Sequence, residues 1–251
     1  MTHGIEFKNN AGKTLIGTSV NMLNFQRKIT GNISDNTTVV NLATGVTNQN
    51  TPPVIYYVPQ NSTQAGNLYV LANLFYANGQ WRAGFWGRAG INIEAYVFLA
   101  GTGTNSGWGI NIYNAQGGFA FSSASRPLVA LAAIQINRSS DVFTSTGGGI
   151  ITSEWALGGA TVNLPAQAQN KKIAISTTPF FAGVYRAIDR PQFEGGDTLD
   201  FAAGGIRKNG NQLIAESSVL YSQNIGGGSW IASPYWQSNI TCVIDAGVYD
   251  G

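Results

Sequence analysis

The sequence predicts an all-β chain of two β-sandwich-like units, jelly-roll or immunoglobulin-like, each opened by the same β-hairpin. Three observations carry this expectation. The opening stretch His3-Gly4-Ile5-Glu6-Phe7-Lys8-Asn9-Asn10-Ala11-Gly12-Lys13-Thr14-Leu15-Ile16 superposes on Trp108-Gly109-Ile110-Asn111-Ile112-Tyr113-Asn114-Ala115-Gln116-Gly117-Gly118-Phe119-Ala120-Phe121 at a constant offset of 105 positions, about the size of one sandwich domain of ~100 residues. Branched and aromatic runs alternate with Gly, Pro and Asn punctuation, and no stretch of about 12 residues shows an apolar helical face with caps. Charged residues make up only 10% of the 251 residues, while there are 32 glycines and 11% aromatics. An ordinary soluble domain carries roughly 25% charge, so Asn, Thr, Ser and Gln here replace charge as polar partners, as suits a surface largely covered by neighbours.

The shared hairpin pattern is Gly-Ile-x-apolar-x-Asn-x-x-Gly-x-x-x-apolar. Ile5 and Phe7, like Ile110 and Ile112, alternate at period two and share a strand face. Asn9 and Gly12, and again Asn114 and Gly117, bracket a turn, because Asn bonds its own backbone and Gly accepts positive φ. Residues 205–214 give a third, shorter echo. The region from Asn24 to Asn50 is polar, with a strand expected at Thr37 to Leu42. Pro52-Pro53 stops it, and Val54 to Val58 is a strong β run. Asn67 to Tyr76 leads into Asn78-Gly79, the strongest hairpin signal of the chain, whose return strand carries Trp81, Phe85 and Trp86. Ile91, Ile93, Ala95, Val97 and Leu99 then line one face of a further strand.

Residues 101–107, small, polar and without period, form the expected linker between a first unit at 1–100 and a second at 108–251. In the second unit, Arg126 to Ile136 fits a buried strand or a short helix, with Pro127 and the β context favouring the strand. Further strands are expected at 150–152, 172–176, 180–188 and 212–221. A last one runs from Asn239 to Tyr249.

Several chemistries are disfavoured by composition. His3 is the only histidine and Cys242 the only cysteine, which removes intrachain disulfides, thiolate metal sites and nearly every His-dependent triad. A net charge of +2 with scattered basic pairs at Arg27-Lys28, Lys171-Lys172 and Arg207-Lys208 gives no basic stripe for nucleic acid, and such pairs read as solvated turns or strand edges. No apolar run approaches the ~20 residues of a membrane helix. The N-terminus lacks the basic and apolar regions of a signal peptide, so synthesis in a cytoplasm is expected. Neither a cofactor nor a metal is expected.

Two segments carry functional candidates. Asp189, Glu194, Asp197 and Asp200 are the densest acidic stretch; they lack EF-hand spacing, and a solvated turn is favoured over a cation site or a glycosidase pair. Trp230, Tyr235 and Trp236 flank Gly- and Pro-containing loops in 226–238. Aromatics of this kind stack on sugar rings or anchor a protein partner, and they equally fill sandwich cores.

The stretch Trp108-Gly109-Ile110-Asn111-Ile112-Tyr113-Asn114-Ala115-Gln116-Gly117, with Phe121-Ser122-Ser123 and Arg126-Pro127-Leu128, resembles the opening segment of tail-tip and tail-fibre-associated proteins of long-tailed bacteriophages. The first hairpin keeps Gly4, Asn9 and Gly12 but lacks the Arg-Pro-Leu tail. The resemblance covers about 25 residues twice, a short motif. It implies a non-enzymatic virion component that forms a symmetric homo-oligomer, a trimer or hexamer, with other tail proteins as partners. The alternative is a receptor- or glycan-binding module that touches the host surface through Trp230 to Trp236.

Overall fold

The computed structural model describes residues 7–8, 14–16, 22–35, 39–64, 66–101, 110–113, 119–136, 161–176, 181–187, 198–224 and 239–250. Among them the chain is all-β and sandwich-like, without an α-helix. The strands are β1 (Phe7–Lys8), β2 (Thr14–Ile16), β3 (Leu23–Asn32), β4 (Val40–Ala43), β5 (Val54–Tyr57), β6 (Tyr69–Ala77), β7 (Gln80–Gly87), β8 (Asn92–Ala100), β9 (Asn111–Tyr113), β10 (Phe119–Ser122), β11 (Ala130–Ile136), β12 (Thr161–Asn163), β13 (Ile173–Ser176), β14 (Phe181–Ala187), β15 (Thr198–Asn209), β16 (Gln212–Asn224) and β17 (Asn239–Asp245). Two 3-10 turns, Ala166–Ala168 and Ala246–Tyr249, complete the set.

The connectivity occurs twice. In the first half β3, β8 and β5 lie side by side in that order, and β4-β7-β6 form a second sheet. In the second half β11, β17 and β13 repeat the first arrangement, and β12-β16-β15, extended by β14, repeat the second. Each half is therefore a six-strand sandwich pattern in which the first, sixth and third strands share one sheet and the second, fifth and fourth share the other.

The halves do not stand apart. β5 and β13, the third strands of each, pair antiparallel at Tyr57 and Ile175, fusing the two triplets into one six-stranded sheet, β11-β17-β13-β5-β8-β3. The outer edge of β3 then meets the residues that lead into β11: Phe25 N–H donates to Arg126 O (2.8 Å) and Leu128 N–H to Leu23 O (2.7 Å), with Asn24 bridged to Pro127. Leu23 and Leu128 are themselves 105 positions apart, the hairpin offset. The sheet thus curls until its ends touch, and the second joint, like the first, links corresponding parts of the two halves. Residues 102–107 of the expected linker lie outside the described residues, and one hydrophobic cluster draws side chains from both halves.

Two hydrophobic clusters line the two faces of this sheet. The larger contains Ile29, Ile55, Tyr57, Ile93, Val97, Ile134, Ile175 and Val243 from it, with Tyr69, Phe85, Ile206, Leu213 and Ala215 from the two smaller sheets. The other holds Tyr56, Tyr96, Phe98, Ala174, Ile244 and Tyr249, with Phe25 and Leu128 packed against it. Burying each such side chain stabilises by roughly 1.5–3 kcal/mol. β8 accordingly has both faces buried, Ile93, Ala95 and Val97 toward one cluster and Tyr96 and Phe98 toward the other.

Local chemistry explains the clearest elements. Asn78 (φ 53°) and Gly79 (φ 76°) form the two-residue loop between Ala77 and Gln80 that joins β6 to β7, as a primed hairpin turn requires. Opposite Tyr69, a Cβ added to Gly87 would lie 2.5 Å from the Tyr69 Cβ and 2.8 Å from the Leu68 carbonyl oxygen. Gly87→Ala is therefore expected to cost about 1–3 kcal/mol through strand displacement, read as a lower urea midpoint at unchanged slope. An unchanged midpoint would show that the strands yield freely.

Some expectations are corrected. A ten-residue strand, β3, runs from Leu23 into the polar stretch 24–50; a bulge between Phe25 and Arg27 breaks its alternation. The final strand ends at Asp245, whose side chain accepts from Gly247 N–H (3.1 Å) and turns the chain into the 3-10 segment. Ile110 precedes β9 and is 59% exposed, whereas Ile112 is buried. Trp81 is half-buried against the larger cluster and Trp86 half-buried against Val70, and Trp81 spends its indole N–H on Asn48 O (3.0 Å). The strand expected at 150–152 lies outside the described residues.

Candidate functional site

The repeated hairpin is present twice with the same pairing. In the first copy Phe7 faces Ile16 and Lys8 faces Thr14, leaving Leu15 as an extra residue. In the second Ile112 faces Phe121 and Tyr113 faces Phe119, leaving Ala120 extra. Every partner and the bulge itself are shifted by 105, so the sequence likeness extends to register, and a bulge at a fixed place is a designed twist of the ribbon. The turn residues Asn9, Gly12, Asn114 and Gly117 lie outside the described residues. Behind the second hairpin, Ser123 N–H donates to Ile110 O and Ile110 N–H to Ser123 Oγ, both at 2.9 Å. Arg126-Pro127-Leu128 follows and makes the closing joint with β3. Tyr113 and Ile110 remain exposed on this hairpin.

Where the halves meet, the structure assembles a constellation that the sequence did not disclose. Lys28 on β3, Glu94 and Tyr96 on β8, Lys172 just before β13 and Asp250 after the 3-10 turn converge. The Lys172 ammonium lies 2.5 Å from Glu94 Oε1 and 2.6 Å from Asp250 Oδ2, and that of Lys28 2.5 Å from Glu94 Oε1 and 3.0 Å from Asp250 Oδ1. The Tyr96 hydroxyl sits 2.7 Å from Glu94 Oε1 and 2.6 Å from Asp250 Oδ1. Both ammonium groups lie 5.9 Å from the Tyr96 ring centroid, a cation–π distance.

Charge balances in this cluster, and its ionisation follows. Burial works against the charge of Glu94 and of Asp250. Hydrogen bonds from Lys172, Lys28 and Tyr96 outweigh it, so both carboxyls stay below the usual range. The hydrogen bond to Glu94, and then that to Asp250, raises Lys28. Burial, then the two carboxylates, pushes the Tyr96 phenol up. Two cations satisfied by two anions leave little attraction for a further ion. The cluster can hold elements together; it offers no poised nucleophile or acid–base pair with unlike affinities.

The C-terminal segment completes it. Tyr249 packs its ring 5.1 Å from Phe98 and 5.3 Å from Phe25. Its hydroxyl donates to Pro127 O (2.8 Å) and accepts from Val129 N–H (3.1 Å). The same segment, residues 246–250, therefore touches the closing joint through Tyr249 and the ionic cluster through Asp250.

Of the other sequence candidates, Trp230, Tyr235 and Trp236 lie outside the described residues, as do His3, Asp189, Glu194 and Asp197. The glycan- or receptor-contact reading rests on the first three. Asp200 lies on β15, paired in register with Tyr185 and Ser222. Cys242 is a half-buried free thiol on β17, packed against the second cluster. Among the described residues no group of three or more His, Cys, Asp or Glu side chains is placed to hold a metal ion. No described helix is long and apolar enough to cross a membrane.

The cluster escaped sequence reading because its members stand far apart along the chain. Lys171-Lys172 read as a solvated pair, yet Lys171 meets Asp245 at 2.8 Å and Lys172 meets Glu94 and Asp250. Compared with family models, with characterised protein sequences and with solved structures, the chain finds no match.

Proposed function

We propose that the chain is a non-enzymatic structural component of a bacteriophage tail, at the tip or associated with a fibre, where it assembles symmetrically with copies of itself and with other tail proteins of the virion. The observation that carries this reading is the hairpin: a tail-protein-like motif stands at the head of both halves with one register and one bulge. The low charge of the chain, 10%, supports it, since a surface with little self-repulsion suits permanent contact. So do the exposed apolar side chains Ile110 and Tyr113 on the second hairpin, which give a neighbour something to cover. A double sandwich offers a repeated surface, and function then lies in contacts, not in chemistry.

Light scattering on the purified protein is expected to give three or six times the chain mass of 26.6 kDa, as a closed ring requires. Removing residues 1–16 is expected to lower that mass while the far-ultraviolet spectrum and the unfolding midpoint change little. A full-length monomer at working concentration would refute the assembly reading. An unchanged oligomer in the truncated chain would move the contact away from the first hairpin.

A further inference from the structure

The six-stranded sheet is closed by very little. At the joint between Leu23–Phe25 and Arg126–Leu128 there are two backbone hydrogen bonds. Two polar atoms buried there, Asn24 Oδ1 and Ser125 Oγ, find no hydrogen-bond partner among the described residues. An unmet buried acceptor or hydroxyl favours the opened, hydrated state. What spans this joint from outside its own two strands is the C-terminal segment: the Tyr249 hydroxyl holds one side, at Pro127 O and Val129 N–H, and its ring packs 5.3 Å from Phe25 on the other. Asp250, one residue on, is gripped by Lys28, Lys172 and Tyr96.

We infer that the C-terminal segment 246–250 is a latch: the grip on Asp250 keeps Tyr249 across the closing joint, and release of Asp250 lets that joint open while the rest of the sandwich stays folded. The first link is geometric. The segment is anchored at its start by Ala246 N–H on Lys172 O (2.7 Å) and at its end by Asp250, so loss of the second anchor frees the residue between. The second link is energetic. Tyr249 fills the space between Phe25 on one side of the joint and Phe98 beyond it, and its departure exposes the aromatic face of β3 and β8 together with the two orphaned polar atoms. The third link is electrostatic. Among the described residues the charged or titratable groups facing Asp250 are Lys28 from β3, Glu94 and Tyr96 from β8 and Lys172 from the residue before β13, with Lys171–Asp245 as the next pair along. Removing one carboxylate leaves two ammonium groups against one anion, which repel and splay. Opening in this way goes beyond a structural role in an assembly, because it gives the molecule a closed and an open form of the same sheet. It stands whether or not the chain is a tail protein.

Amide hydrogen exchange on the full chain tests this, comparing wild type with Asp250→Ala and with Tyr249→Phe. The informative amides are Phe25 and Leu128, the donors at the joint, set against those of the β6–β7 hairpin. In both variants Phe25 and Leu128 are expected to exchange at least tenfold faster than in wild type, with the hairpin amides unchanged. Wild-type rates at Phe25 and Leu128 in Asp250→Ala would overturn the latch. Acceleration of joint and hairpin amides together would overturn it as well, since that is global loosening. Tyr249→Phe keeps the ring and loses only the hydroxyl, so it guards against a variant that merely unpacks the aromatic face.

Discussion

Glu216→Ala is expected to lower the unfolding free energy by about 3–5 kcal/mol, the cost of leaving one partner of a buried ion pair uncompensated. Glu216 Oε1 accepts from Arg207 Nε at 2.7 Å and from Gly66 N–H at 2.6 Å, and the two side chains are only 12% and 8% exposed. Arg207 also donates from Nη1 to Ser62 O (2.8 Å). Beside it, Lys208 N–H donates to Gln60 O and Ser62 N–H to Lys208 O, so that Gln60 and Ser62 of the first half are bonded to β15 of the second. Leu68 and Val70 press on Gly205 next to this contact. Truncating Glu216 strands a guanidinium inside a third connection between the halves, and the loss is expected in the urea midpoint. The double variant Arg207→Met/Glu216→Leu should regain most of it, because apolar residues of similar volume avoid the desolvation that the pair must overcome. A single variant within about 1 kcal/mol of wild type, less than the buried-pair expectation, would mean that water reaches the guanidinium.

What the sequence disclosed and what it hid divide along physical lines. Signals that act within a few residues were legible. Asn78-Gly79 dictates its turn from its own backbone preferences, and the 105-position offset of the hairpin repeat reappears in the pairing of its strands. Signals that depend on distant partners were not. Arg207-Lys208 read as a solvated pair, yet Arg207 is buried because Glu216 comes back beside it across the β15–β16 turn. β3 looked like polar coil because its alternation is interrupted at the bulge and half of its ten residues are exposed. The third echo at 205–214 coincides with the β15–β16 hairpin, whereas the start of β15 at Thr198 was not anticipated. The apolar run through Ala95–Ala100 could have been read as a strand buried on both sides, which would have pointed to something covering the second face. That cover is the C-terminal segment, and the single Asp at 250 that holds it has no local signature.

Acid is expected to destabilise the protein through the cluster around Asp250, and the sign follows from the direction of each shift. Glu94 and Asp250 are held below their ordinary values in the folded chain. For a carboxyl so depressed, the stabilisation is complete above its unfolded pKa of about 4 and drains away as pH falls toward the folded value. Lys28 is raised above 10.5, and its contribution is complete below that value and lost as pH climbs through the folded one. Stability attributable to the cluster should therefore be flat from about pH 5 to about pH 10 and fall on either side. The measurement is Tm against pH for wild type and for Glu94→Gln/Asp250→Asn. The double variant is expected to start lower on the plateau and to lose less on acidification, so that the two curves draw together as pH falls below about 4, the unfolded carboxyl pKa, toward the lower folded values. Salt should shrink the gap only in part, since side chains a quarter to a third exposed are incompletely screened. Parallel curves down to pH 2 would assign acid sensitivity to other carboxylates and leave the cluster a passive tether. Convergence, together with rapid exchange at Phe25 and Leu128 on the acid limb, would tie the protonation of two side chains to the opening of one seam.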